Sequence, residues 1–328
     1  EWVESSEDKS NRAKGSMALL AADGESVYDG KLTQIKGRGN STWKGAKRPY
    51  QIKLDKKTDL LQTGDSADKA KTWVLLANFY DPSAVRNMLA LDLGRALQME
   101  CNMGYRPVCL FYDGEFRGLY LLTEKVEVNE GRVDVTDLEK ANEMANPDVE
   151  DLTKLESKTG TTANGATYLY CDGMNDPADI TGGYLLEMDF ADRAMEEKCY
   201  FITTRGFYVV VKSPEACSKA EMDYIASWYQ DYEDAVFEGG TSSKTGNPFT
   251  DYVTVESMVQ CYLVNELSKN GDGFNTSAYL YKETGSKPMK MGPLWDYDLS
   301  FGNNNYEDLL PQPELLYTVY GSLGRALY

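Results

Sequence analysis

The order of elements along this chain predicts an α+β protein with two lobes. A β-rich N-terminal lobe with one helix spans residues 1–129, and a more helical C-terminal lobe spans 130–328. Three observations predict this. Residues 31–129 hold short runs that alternate apolar and polar side chains, the period of a half-buried strand. Residues 219–237 and 255–268 repeat apolar side chains at the helical period. No unit of fixed length recurs, which excludes solenoids and propellers.

The elements follow in order. Lys31 to Lys36 and Pro49 to Leu54 read as strands flanking the small-residue stretch from Gly37 to Thr42, and Trp73 to Leu76 reads as a short buried strand. Asp81 and Pro82 predict a helix start with Asp81 as N-cap. Val85, Met88, Leu89, Leu93, Ala96 and Leu97 supply its apolar face. Val108–Tyr112 and Gly118–Leu122 flank Asp113-Gly114, a strong hairpin signal. Residues 130–182 are acidic and rich in Asn, Asp and Gly without clear period, and they read as an insertion or long connection. Tyr184–Asp189 and Tyr208–Val211 are strands. The helix at 219–237 turns Met222, Ile225, Tyr229, Tyr232 and Val236 inward, and the helix at 255–268 turns Val255, Met258, Val259, Tyr262 and Leu263 inward.

The chain contains no histidine. That removes Ser-His-Asp and Cys-His catalysis, His-ligated zinc and imidazole proton transfer. Six cysteines are scattered without a CxxC pair, so zinc is not expected and most should be buried single thiols. The net charge of −18 disfavours nucleic acid and anionic membrane, which reward basic patches. No apolar run is long enough to span a bilayer, so no membrane insertion is expected. The chain starts at Glu1-Trp2-Val3, as a mature or excised segment would.

Chemistry must then come from carboxylates, Lys, Arg and a hard metal. Asn270-Gly271-Asp272-Gly273-Phe274 precedes a predicted hairpin, Ala278–Lys282 and Met289–Met291, and Trp295-Asp296-Tyr297-Asp298 follows it. A short hairpin returns the chain to its start, which predicts that Asp272, Asp296 and Asp298 converge on one ion. Converging carboxylates repel unless a cation such as Mg²⁺ or Mn²⁺ neutralises them. A loop aspartate, two strands and a second acidic turn ending in Phe301-Gly302 is the order of parts in the catalytic half of a kinase. Taken singly, Asp272 and Asp298 also suit turn capping. The fifth residue after Asp272 is Ser277, and the nearest amide that could serve the metal is Asn275.

Gly37-Arg38-Gly39-Asn40-Ser41-Thr42 has the character of a phosphate-contacting loop. Glycines let backbone N–H groups approach an anion, and Arg38 offers a planar bidentate donor. A tight turn explains the same glycines. Lys47, Arg48 and Lys53 follow. Lys53 alternates with Ile52 and Leu54, so it faces away from them, either solvated or set against nucleotide phosphates.

Several motifs in register resemble the spore-coat CotH kinase family: Arg38–Trp43 with Lys47–Leu54, Leu76–Pro82 with Arg86-Asn87, Gly118–Glu124, Gly182–Glu187 and Gly292–Asp298. The resemblance runs from about residue 30 to 305. It implies an atypical two-lobed protein kinase, secreted or on a cell or spore surface, that uses ATP and Mg²⁺ or Mn²⁺ to phosphorylate Ser/Thr of surface proteins. Such modules also occur inside large secreted proteins of plant-degrading bacteria. The family pattern makes Asp272 the catalytic Asp and Asp296 the metal-binding Asp. It gives phosphate to a lysine of the 47–53 segment, Lys53 first, and puts Glu124 near the adenine. The competing expectation is a non-catalytic surface or scaffold module of the same fold that contacts proteins or, through its many aromatic rings, carbohydrate.

Overall fold

The computed structural model describes residues 2–303, and the end of the resemblance at 304 and 305 lies outside them. The fold is α+β and strand-rich, and the chain divides into two compact units. The first comprises 1–91, 103–126 and 130–132; the second comprises 92–102, 127–129 and the chain from 133 onward.

The first unit is an antiparallel sheet of six strands: β1 (Arg12–Leu20), β2 (Ser26–Gly37), β3 (Tyr50–Thr58), β4 (Ala70–Leu76), β5 (Tyr105–Tyr112) and β6 (Glu115–Glu124). Their spatial order is β1-β2-β3-β4-β6-β5. Leu32 and Ile35 on β2, Tyr50, Ile52 and Leu54 on β3, and Trp73 and Leu75 on β4 build one core with Tyr120 and Leu122 of β6. The period-two alternation puts Lys53 on the opposite face, where it is exposed. Pro107 sits in β5, an edge strand, where a missing N–H costs least.

Helix α1 runs Arg86–Ala96, starting later than Asp81-Pro82 predicts. The Asp81 carboxylate accepts from the Ser83 and Arg86 N–H groups and from the Arg86 guanidinium, which folds 81–85 into a turn ahead of the helix. The buried face is also different. Val85 and Leu89 are exposed, whereas Asn87, Ala90 and Leu91 are buried.

The second unit carries a seven-stranded antiparallel sheet and α2 (Leu138–Ala145), α3 (Ala191–Ala194), α4 (Lys219–Phe237) and α5 (Val255–Ser268). Its strands are β7 (Ser157–Thr161), β8 (Thr167–Cys171), β9 (Tyr184–Asp189), β10 (Tyr200–Ile202), β11 (Tyr208–Ser213), β12 (Ala278–Lys282) and β13 (Lys290–Met291). Their order is β13-β12-β9-β11-β10-β8-β7. The acidic stretch read as a connection supplies α2, β7 and β8. Its strands escape the periodicity test because β7 is a polar edge strand, exposed along most of its length.

Helix α4 begins at a capping box between Ser218 and Glu221 and buries the five residues predicted. Its aromatic face meets the sheet through Tyr229 on Phe201, ring centroids 5.4 Å apart. Helix α5 corrects the prediction. Met258 is buried as predicted, but Val255, Val259 and Leu263 are exposed, and Ser257, Cys261, Val264, Asn265 and Ser268 face inward. Both stripes fit a 3.6-residue period, so periodicity alone could not choose between them.

The β12–β13 hairpin forms as predicted, with Leu280 opposite Met291. It is anchored at its turn. Lys282 Nζ, fully buried, donates to the carbonyls of Thr181 and Gly285, both at 2.8 Å, and lies 4.2 Å from the Trp228 ring centroid. The turn backbone rests directly on Gly182, where a Cβ would overlap Glu283 and Thr284. The six cysteines form no disulfide, and five of them are buried.

Candidate active site

The last turn of α5 organises the acidic loops. Lys269 takes a left-handed conformation, φ 51°, and ends the helix. Asn265 then joins the two loops: its Oδ1 accepts from Asn270 Nδ2 at 3.2 Å and from the Tyr297 hydroxyl at 3.0 Å. Asn270 Oδ1 in turn accepts from the Asp272 N–H at 3.2 Å. The loop thus has an amide scaffold behind it that holds the Asp272 backbone and the Tyr297 hydroxyl of the second acidic segment.

Asp272 is half-buried, and burial pushes its carboxyl above the ordinary aspartate value. Asp296 and Asp189 push it the same way by repulsion, while Arg193 opposes them. Asp296 is exposed, and Ser277 Oγ donates to its Oδ2 at 3.4 Å. Phe274, Ser277 and Asp296 all hold positive φ, 62°, 52° and 66°. Each such non-glycine residue stores backbone strain, which persists only where the surroundings enforce it.

The expected convergence of three carboxylates is not what the chain builds. Among the described residues no three His, Cys, Asp or Glu side chains gather closely enough to hold an ion. Asp298 is buried while Asp296, two residues earlier, is exposed, because the left-handed turn at Asp296 sends the two side chains into different surroundings. What remains is Asp272, raised by burial and by the nearby charge of Asp296, with Ser277 hydrogen-bonded to Asp296. Asn275 is in the same loop; its Nδ2 turns toward the Gly273 carbonyl at 3.4 Å, and among the described residues its Oδ1 has no partner. Two repelling carboxylates with hydroxyl and amide oxygens fit Mg²⁺ or Mn²⁺, which take one or two carboxylates and complete their shells with water and phosphate.

Sequence reasoning missed three neighbours. Thr276 Oγ1 donates to Asp189 Oδ1 at 2.5 Å, and Arg193 NH1 donates to Thr276 Oγ1 at 3.2 Å and to Asp189 Oδ1 at 3.4 Å. Asp189 closes an otherwise buried strand, the one local signal that could have marked it. The cavity behind this loop, lined by Asn265, Asn270, Thr276 and Tyr297, measures about 30 Å³ and has room for a water but no nucleobase.

The cofactor residues read from sequence lie in the first unit. Asn40 is exposed and its Oδ1 accepts from Lys9 Nζ at 3.1 Å; Ser41 is also exposed and opens a 3₁₀ turn. Arg38 is half-buried beside them. The glycines here serve packing, since a Cβ on Gly37 would overlap the Trp43 ring and one on Gly39 the Thr42 hydroxyl. Lys47 donates to the Leu119 carbonyl and sits 4.6 Å from the Tyr120 ring centroid. Glu124 is buried, accepting from the Gly104 N–H at 2.6 Å with Arg132 Nε 3.9 Å away. A cavity of about 580 Å³ opens on the core face of the sheet, and none of these five residues, nor Lys53, lines it.

No curated protein matches this sequence. The family model described as CotH kinase protein matches residues 35–318, most of the chain. With that match spanning both units, and the ordered acidic loops in the second, the chain belongs to the CotH kinase family.

Proposed function

We propose that the chain is a metal-dependent ATP:protein phosphotransferase of two-lobed, kinase-like architecture that acts on Ser/Thr of extracellular or surface proteins. One observation carries the reading: the β12–β13 hairpin returns the chain from Asp272 to Asp296, where Ser277 Oγ donates to Asp296 Oδ2 and the Asp296 charge reaches Asp272. Asp272 accepts the proton of the acceptor hydroxyl, and its partial burial makes it a better base than an exposed aspartate. Asp296, with Ser277 Oγ hydrogen-bonded to it and Asn275 in the Asp272 loop, would hold Mg²⁺ or Mn²⁺, which when bound neutralises phosphate charge. In the first unit Lys53 is the phosphate-contacting residue that the family pattern favours. Its ammonium is exposed, whereas Lys47 is spent on Leu119 and Glu124 on Gly104.

The test combines calorimetry with MnATP and transfer of its γ-phosphoryl group to a Ser/Thr-containing protein. Asp272→Asn should keep MnATP binding while transfer falls about 10²–10⁴-fold, the usual value of a positioned base. Asp296→Ala should lose metal-dependent binding with the fold intact. A wild-type chain that binds no MnATP overturns the proposal and leaves a non-catalytic surface module of the same family.

A further inference from the structure

The loop around Asp272 carries negative charge: the carboxylates of Asp296 and Asp189 both lie close enough to Asp272 to repel it. A polyphosphate brought to that loop meets repulsion that a single divalent ion neutralises only in part. The chain places a guanidinium there. Arg193 lies in α3, immediately after β9, and NH1 is fixed by two acceptors, Thr276 Oγ1 and Asp189 Oδ1. Thr276 belongs to the Asp272 turn itself, its N–H donating to the Asp272 carbonyl at 3.0 Å. The guanidinium stacks on Phe190, 5.3 Å from the ring centroid, and its side chain stays 30% exposed. Among the described residues its Nε and NH2 donate to no acceptor, so half of the fork is held and half is open.

An ion pair between Asp189 and Arg193 would by itself explain a local staple after β9. It does not explain why NH1 is also bound to the Asp272 turn, or why the free donors stay open beside a loop that repels anions. Arginine, unlike lysine, can be gripped on one edge and still offer a second edge to a phosphate.

We propose that Arg193 is a catalytic residue that contacts the phosphoryl group in transit, with Asp189 and Thr276 as positioning residues that aim it. The inference rests on the phosphotransferase reading above. In the step it serves, the bond between the γ-phosphorus and the bridging oxygen breaks, and its electron pair leaves with the nucleoside diphosphate. The acceptor oxygen forms the new bond to phosphorus, and its proton passes to Asp272. Charge accumulates on the phosphoryl oxygens, where the open edge of Arg193 acts.

The experiment compares wild type, Arg193→Gln, Arg193→Lys and Thr276→Val by calorimetry with MnATP and MnADP and by transfer kinetics. ADP lacks the phosphoryl group that Arg193 contacts. Arg193→Gln should therefore weaken MnATP about 10- to 100-fold and leave MnADP unchanged. Its kcat should fall about 10²–10³-fold, more than KM rises. Arg193→Lys, which keeps charge without the fork, should recover part of the ATP preference. Thr276→Val should reduce the ATP-to-ADP preference in the same direction, a readout that mere loss of packing would not move. If Arg193→Gln does not fold, Arg193→Lys alone decides: an ATP-to-ADP preference and kcat equal to wild type overturn the inference. Wild-type-like values in a folded Arg193→Gln overturn it and leave the phosphotransferase reading standing. A wild-type chain that binds neither nucleotide overturns both.

Discussion

Ser277 donates its hydroxyl to Asp296 Oδ2 across 3.4 Å, joining the residue that enters the β12–β13 hairpin to the acidic turn that leaves it. Both hold positive φ, 52° and 66°. Ser277 occupies the fifth position after Asp272, where the kinase pattern has a metal-binding Asn. Here that position reaches the Asp296 carboxylate directly. The hairpin therefore sets the pair's geometry through hydrogen bonding as well as chain connection.

Asp296 is exposed and strained, a combination that favours function over stability. Asp296→Gly relieves the positive φ and should raise stability by up to about 1 kcal/mol in urea unfolding. The same variant should lose metal-dependent ATP binding. A variant that is both less stable and fully competent to bind would contradict the assignment of Asp296 to the metal.

Glu221 gives a pH dependence with a definite sign. It is fully buried in the α4 capping box, with Oε2 accepting from Ser218 N–H at 2.7 Å and Asn142 Nδ2 at 3.1 Å. Oε1, like Asn142 Oδ1, has no partner among the described residues. Burial raises its carboxyl from 4.5 to about 7. Between those values the native state keeps a proton that the unfolded chain has lost. Its contribution is thus fully present below the unfolded value, falls as pH rises, and is lost above about 7. Glu221→Gln stays neutral and replaces the orphaned Oε1 with an amide N–H that can serve Asn142 Oδ1. It should match wild type near pH 4 and exceed it at pH 8 by at most about 3 kcal/mol. Parallel stability curves for the two proteins from pH 4 to 8 would rule this out.

Gly182 opens one of the family-like motifs, and its reason is contact. Gly182→Ala drives a methyl into the backbone of Glu283 and Thr284, which cannot swing aside as a side-chain tip could. Destabilisation of about 2–3 kcal/mol is expected, read as a lower urea midpoint with unchanged slope. A neutral Gly182→Ala would mean that the hairpin turn is free to shift.

Lys53 and Lys47 separate binding from packing. Lys53→Met removes an exposed charge and should weaken ATP about 10- to 150-fold with little effect on adenosine. Lys47→Met removes the donor to the Leu119 carbonyl and should cost about 1 kcal/mol of stability, leaving the ATP-to-adenosine preference unchanged. If the ATP loss follows Lys47 instead, the phosphate lysine is Lys47.

Much of this protein was legible in the sequence. Helix α4 and the β12–β13 hairpin follow from local signals: a helical apolar stripe, and two short runs around Glu283–Ser286. The exposure of Lys53 follows from alternation with Ile52 and Leu54. The absence of histidine alone narrowed the chemistry to carboxylates and cations. Tertiary structure decided what depends on residues far apart in the chain. Helix α5 offers two apolar stripes, and only its neighbours select Cys261 and Val264 over Val259 and Leu263. The polar strand β7 exists because β8 pairs with it, a partner that no periodicity reveals. The separation of Asp296 from Asp298 depends on one left-handed residue, and the union of Asp189, Thr276 and Arg193 depends on β9 lying beside β12. Local pattern reports which face a residue prefers; only sheet order and backbone turns bring side chains distant in sequence within hydrogen-bond reach.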